Sequence, residues 1–194
     1  VAINDEALDV IFRAARTHRH WQDKPVSPAL LMAVYDLLRW GPTSANSNPM
    51  RVVFVVSPEA KERLKPHLDS SNVQKVMTAP ATAILGYDLE FGKEVGRLNP
   101  HNPDAASWFT DPLADEVTAF RNGSLQGAYL IIAARALGLD CGPMSGFNNA
   151  GVDKEFFAGT SVKSNFLCNI GYGDASKPHA RAPRLSFDEA CKIV

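Results

Sequence analysis

Cysteine is scarce in this chain: Cys141, Cys168 and Cys191 are the only three among 194 residues. Odd in number and widely spaced, they form no CxxC pair and no Cys/His ligand pattern, so neither a disulfide framework nor a zinc site is predicted. Charge of one sign is also lacking. Lys and Arg number 20 against 21 Asp and Glu, for a net charge of -1. No global field steers such a protein to nucleic acid or an anionic membrane, and any anion it binds must be met by a local cluster. Nowhere do enough apolar residues run together to span a bilayer, and the opening VAINDEALDVIF has early acids and no signal-peptide core. A cytoplasmic protein is predicted.

The common catalytic signatures are missing too. There is no GxxxxGK[ST], Ser145 sits in GPMSG rather than GxSxG, and the histidines form no HExxH. Gly171-Tyr172-Gly173 follows an apolar run, but Asp174, Ala175 and Ser176 open no helix, so a GxGxxG dinucleotide turn is unsupported.

What is present is an ordinary globular composition, with 45% apolar and 21% charged residues. The mass of 21.1 kDa fits a single domain over residues 1–194. Surface scaling gives a compact monomer of that mass roughly 9,000 Å². Leu8, Ile11, Phe12 and Ala15 predict a first helix from Asp5 to about Arg16. Ser27 and Pro28 predict the start of a second, which Gly41 and Pro42 close. Arg51–Val56, Ala81–Tyr87 and Asn165–Tyr172 read as strands, with a short capped helix through Leu64 after the first. From Leu89 to Pro112 periodicity fails, and an irregular lid carrying Trp108 and Phe109 is expected. Asp115–Leu137 is the longest helical pattern, and its Gly123, Gly127, Ala128, Ala133 and Ala134 permit close approach of a neighbouring helix, internal or across a subunit interface. Asn149–Phe157 and the segment opened by Ser186 and Glu189 are short helices. The residue patterns alone give a mixed α/β order.

Four polar segments stand out. Arg16, Thr17 and Arg19 gather at the expected end of the first helix, where guanidinium forks suit phosphate oxygens or simply complement the helix dipole. Gly41–Pro49 is packed with hydroxyls and amides that could meet a heteroaromatic ring edge, or form a turn. Asn72 and Lys75 share a helical face. Cys141–Phe147 reads as turn chemistry, and a basic tail follows with Lys177, Arg181 and Arg184.

Together these segments resemble the nitroreductase-like flavoproteins, in order and over nearly the whole chain: Arg16-Thr17-His18-Arg19, Pro42-Thr43-Ser44-Ala45-Asn46, Asn72 to Lys75, Gly142-Pro143-Met144, and Gly171-Tyr172 with Arg184. The resemblance implies an α+β fold with a central, mostly antiparallel sheet flanked by helices, and an intertwined homodimer with FMN at the subunit interface. By the same resemblance Arg16, Thr17 and Arg19 serve FMN from one subunit, with Arg184 on or near the phosphate. Ser44 and Asn46 come from the other subunit, Asn72 and Lys75 bond the ring and ribityl region, and Pro143, Met144 and Ser145 line the isoalloxazine. NADPH or NADH is the implied hydride donor, and no side chain emerges as a general acid. Stretches such as WGPTSANSNPMRVVF, AYLIIAARALGLDCGPMSGF and ARAPRLSFDEA resemble a subgroup that reduces the small aldehyde malonic semialdehyde to 3-hydroxypropanoate in uracil breakdown. Two departures stand beside this. Ala15-Arg16 replaces a pair of basic residues, which implies fewer phosphate contacts from the helix end, and Asn48-Pro49-Met50 replaces a Gln-Pro-Trp. A broad nitro, quinone or enal reductase and a non-catalytic flavin-binding module remain open alternatives.

Overall fold

The computed structural model describes residues 1–177 and 180–194. Four antiparallel strands form its sheet: β1 (Met50–Val55), β2 (Ala81–Asp88), β3 (Asp140–Met144) and β4 (Val162–Gly171), in the order β1-β2-β4-β3. Eight α-helices accompany it among the described residues: α1 (Asp5–Leu8), α2 (Pro28–Leu38), α3 (Pro58–Leu64), α4 (Ser70–Thr78), α5 (Gly92–Leu98), α6 (Pro112–Ala136), α7 (Asn149–Phe156) and α8 (Phe187–Ala190). The expected α+β architecture with a flanked antiparallel sheet is what is found.

Alternation along the strands puts one core on each face of the sheet, and a third, smaller one forms around Phe91 and Val95. Ala81, Ala83 and Leu85 of β2, with Cys168 and Ile170 of β4, face Leu31, Val34 and Leu38 of α2 and Leu130, Ala133 and Ala134 of α6. Ile84 and Leu167 point the other way, onto Leu64 of α3, Val76 of α4 and Val152 of α7. The result is three layers, with α2 and α6 on one face of the sheet and α3, α4 and α7 on the other. The residues that end α2 illustrate the local logic. Ser27 Oγ accepts from the Leu30 N–H at the N-cap, Pro28 opens the first turn, and at Gly41 a Cβ would lie 2.6 Å from the Tyr129 ring. Only glycine lets the chain turn there against α6.

Four expectations are corrected. The first helix ends early: α1 passes into a π-helical turn over Asp9–Arg13, closed by Arg13 bonded to Asp5 and Asp9, and Ala15 to Trp21 are not helical. A β-bridge from Thr17 to Cys141 competes for that backbone. Asp140–Met144 is a strand and not merely a turn; Gly142 and Pro143 hide it from propensity, and Pro143 is tolerated because β3 is an edge. The segment from Leu89 to Pro112 is not irregular throughout. It holds α5 and a 3-10 turn over 103–108, joined through Phe91, Val95 and Ala105, with Phe109 stacked edge-on to Phe91 at 4.8 Å. Finally, Gly123 and Gly127 of α6 face the sheet, where a Cβ would meet Tyr87 and Phe166, while large residues fill the outer face of that helix. Close approach at the two glycines is therefore helix on sheet, whereas Ala133 and Ala134 pack beside α2, the expected neighbouring helix within the chain.

Three further features matter below. Cys141 and Cys168 are buried between β3 and β4, whereas Cys191 is exposed beyond α8. The chain exposes 11443 Å², well above the figure for a compact monomer of its mass. Among the described residues no helix is long and apolar enough to cross a membrane, and no cluster of His, Cys, Asp and Glu could hold a metal.

Candidate functional site

The bridge between Thr17 and Cys141 runs parallel and is secured by the His18 N–H, which donates to the Cys141 carbonyl at 3.0 Å. The approach is possible because residue 142 is glycine: a Cβ there would lie 2.5 Å from the His18 carbonyl. The contact draws the arginine segment to the outer edge of the sheet, alongside β3. His18 in turn lies 3.4 Å from Asp140, whose carboxylate accepts from the Gly173 N–H at 2.8 Å.

Where β3 ends, Pro143, Met144 and Ser145 lead to Gly146, and there the amide–amine pair of α4 is met. Asn72 Nδ2 donates to the Gly146 carbonyl at 2.9 Å, and Lys75 Nζ donates to Asn72 Oδ1 at the same distance. A Cβ on Gly146 would come within 2.7 Å of both Asn72 and Asp69. From behind, the fully buried Asn169 donates to the Lys75 carbonyl at 2.9 Å and accepts from Thr82 Oγ1 at 2.7 Å. Lys75 is thus a half-buried ammonium held by a chain of amides rather than by an acid.

A cavity of about 410 Å³ opens beside Thr17. Five arginines line it, Arg16, Arg19, Arg135, Arg181 and Arg184, and none of its described lining residues is acidic. Arg181 reaches it from the tail by donating to the carbonyls of Arg13 and Ala15, at 2.6 and 2.9 Å. Arg135 arrives from the last turn of α6, and its buried Nε has no partner among the described residues. Such a donor set is built for an anion with several acceptor oxygens.

Ser44 and Asn46 are elsewhere. Their loop precedes β1, at the end of the sheet where β1 begins and β2 finishes, opposite to the end where Thr17 meets Cys141. It is strained: Ala45, Asn46 and Asn48 have φ of 52°, 52° and 43°. The conformation is held from α6. Asn122 Oδ1 accepts from the Ser44 N–H at 2.8 Å, and Gln126 Oε1 accepts from the Met50 N–H at 2.9 Å while its Nε2 donates to Asn48. Asn46 itself donates to the Leu98 carbonyl at the end of α5. Strained non-glycine loops of this kind cluster at binding sites.

The sequence therefore divides its candidate residues between two places in one chain. Arg16, Thr17, Arg19, Asn72, Lys75, Pro143, Met144, Ser145 and Arg184 belong to the elements around β3, and Ser44 and Asn46 to the far loop. The Cys168 thiol supplies no nucleophile, since the Cys141 side chain and burial push it well above its usual range.

Residues 12–172 match the Nitroreductase family. The chain belongs to that family. Over 192 residues it is 55% identical to a Caulobacter protein, covering 99% of this chain and 98% of that one. A Burkholderia lata protein is 58% identical over 193 residues, with 98% of each covered. Both carry the provisional name NADH dehydrogenase/NAD(P)H nitroreductase. Among solved structures, a provisionally named nitroreductase of Exiguobacterium sibiricum, in complex with FMN, superposes with a TM-score of 0.77 at 19% identity over 94% of this chain and 95% of that one.

Neither family membership nor the motifs of the sequence point to Arg135, Asn122 or Gln126. Arg135 reads as an ordinary cation in a final helical turn. The amides carry a legible signal: Asn122 and Gln126, four residues apart, lie on the buried side of α6 among Gly123, Gly127 and Leu130. Buried amides there need partners outside the helix.

Proposed function

We propose that this chain is an FMN-dependent NAD(P)H oxidoreductase, active as a homodimer, that reduces malonic semialdehyde to 3-hydroxypropanoate. The observation that carries the cofactor is the acid-free arginine cavity beside Thr17 at the start of β3, together with the ammonium of Lys75 tethered through Asn72 to Gly146 just past the end of that strand. The donor set suits a phosphomonoester at one end and an electron-accepting ring at the other. When bound, FMN supplies hydride chemistry between a nicotinamide and an organic acceptor. The balanced reaction is aldehyde plus NADPH plus a proton giving alcohol plus NADP⁺.

The residues of this chain position and polarise. Arg16, Arg19 and Arg184 bind the phosphate, with Thr17 as a hydroxyl donor between the first two. Lys75, oriented by Asn72, places positive charge beside the ring and favours its anionic reduced form. Pro143, Met144 and Ser145 form the wall that Gly142 and Gly146 bring close. Ser44 and Asn46 complete the site of a second copy, because their loop lies at the other end of the sheet. Two observations support that pairing. The large surface is one, and the other is the exposed apolar face formed by Leu113, Val117, Phe120 and Leu125 of α6 with Trp40 beyond α2. Malonic semialdehyde is favoured by the long matching stretches around residues 40–54, 128–147 and 180–190.

The test is anaerobic. Purified protein reconstituted with FMN is reduced with NADPH, then mixed with malonic semialdehyde, and parallel samples receive a nitroarene. Bleaching by NADPH, rapid reoxidation by the aldehyde and recovery of 3-hydroxypropanoate are expected. Reoxidation only by the nitroarene would replace the substrate, and no bleaching would refute the catalytic reading.

A further inference from the structure

We infer that Arg135 is a direct ligand of the cofactor phosphate, reaching it from the end of α6; the inference rests on the reading of the arginine cavity given above. Among the described residues the neighbouring Arg13 is committed to acids, bonded to Asp5 and Asp9 at 2.8 and 2.7 Å. Arg135 has no ion pair of that kind. Its Nη1 donates to the Ile11 carbonyl at 3.0 Å, which fixes the plane of the guanidinium, and its Nε is buried with no acceptor. The Nε N–H is sealed from the cavity, but the Nη2 amino group has no partner among the described residues and is not enclosed, so one arm of the fork is left for an acceptor that the chain itself does not provide.

The surroundings say what kind. No described residue lining the cavity is acidic, and Arg181 is held in place by backbone carbonyls of the segment it covers. Ala15 lines the same cavity without contributing a donor. Arg135 thus brings a planar fork to a wall that the first turn of the chain leaves apolar. A dianionic phosphate offers the several oxygens that such a set of forks can share. The competing explanation is a strut: a cation at a helix C-terminus favoured by the dipole and tying α6 to the carbonyl of Ile11.

Riboflavin separates the two, because it has the ring and ribityl chain of FMN but no phosphate. Deflavinated wild-type protein, R135M and R135K are titrated with FMN and with riboflavin by fluorescence quenching. In R135M the FMN dissociation constant is expected to rise about 10- to 100-fold, the loss of a charge-assisted hydrogen-bond pair, with riboflavin within about 2-fold of wild type. R135K should lie between, since it keeps the charge and loses the fork. Unchanged FMN preference in R135M, or equal loss of both ligands, would overturn the assignment. A wild-type protein that binds FMN no better than riboflavin would instead remove the reading of the cavity, and the inference with it. A second measurement needs no variant. Phenylglyoxal modification of Arg135 in the wild-type protein, followed by peptide mapping, should be suppressed by FMN and not by riboflavin, and equal protection by the two would count against a phosphate ligand.

Discussion

Replacing Gln126 by leucine should destabilise the protein more than the same change at Asn122, although both amides hold one strained loop. The asymmetry comes from what each leaves behind. Gln126 is 4% exposed and accepts from the Met50 N–H, itself on a residue only 8% exposed. Leucine fills similar space but strands that N–H away from water, at a cost of about 1–3 kcal/mol. Asn122 accepts from the N–H of Ser44, which is exposed, so water takes its place and the net loss is about 1 kcal/mol. For a chain of this size each kcal/mol moves the melting temperature by about 2–4 °C. At about 2 kcal/mol, the middle of its range, Gln126→Leu should therefore melt roughly 4–8 °C below wild type, and Asn122→Leu roughly 2–4 °C below, in flavin-free protein followed by differential scanning fluorimetry. Urea midpoints at constant m-value should give the same order. Three residues at positive φ add a second consequence, because each carries about 1–3 kcal/mol that relaxes when its tether goes. Asn122→Leu should thus weaken flavin binding out of proportion to its small thermal effect. A Gln126→Leu protein that melts with wild type, or an inverted order, would refute the account of the loop.

At alkaline pH, burial and then Glu116 raise the Tyr87 hydroxyl, and the hydrogen bond to Glu116 raises Lys163, so the folded state holds protons that the unfolded chain has released. Stability should be fully present below about pH 10 and fall as pH rises past it, and urea midpoints should show a shallower fall in Tyr87→Phe than in wild type. Gly142→Ala should push the Thr17 segment off β3, costing about 1–3 kcal/mol and most of the flavin affinity; a stable variant with intact binding would contradict the close approach described. Arg16→Ala and Asn46→Ala homodimers, each inactive, should regain activity when exchanged with one another, since a mixed dimer restores one whole site. Failure of such mixtures, with heterodimers shown by mass spectrometry, would disprove the shared site.

How much of this could be read in advance depended on whether the cause was local. Ser27 and Pro28 open α2 through neighbours in sequence, and the largely apolar run of β2 follows from burial on both faces. β3 could not be read that way. Its Gly142 and Pro143 are poor strand formers whose pairing comes from β4 on one side and the Thr17 segment on the other, both remote in sequence. The same bridge ends the first helix before Arg16 and converts a helical turn of cations into an extended row. α5 was hidden by two glycines, Gly92 and Gly96, and is held by packing of Phe91 and Val95. In the site, residue types pointed to Asn72 and Lys75, which a single helical turn aligns. Arg135 is not legible in the sequence because the carbonyl its guanidinium meets, that of Ile11, is more than a hundred residues away.

The burial of two cysteines and exposure of the third turns the tail into something that can be watched. Cys141 and Cys168 are sealed inside the sheet, while Cys191 follows α8 on the segment that Arg181 fastens to the start of the chain. A maleimide dye added to the native protein lands on one known position, with no engineered thiol and no cysteine to remove. Energy transfer from the tryptophans, or the anisotropy of the dye, then reports how tightly that strap is held, and whether a ligand in the arginine cavity stills it.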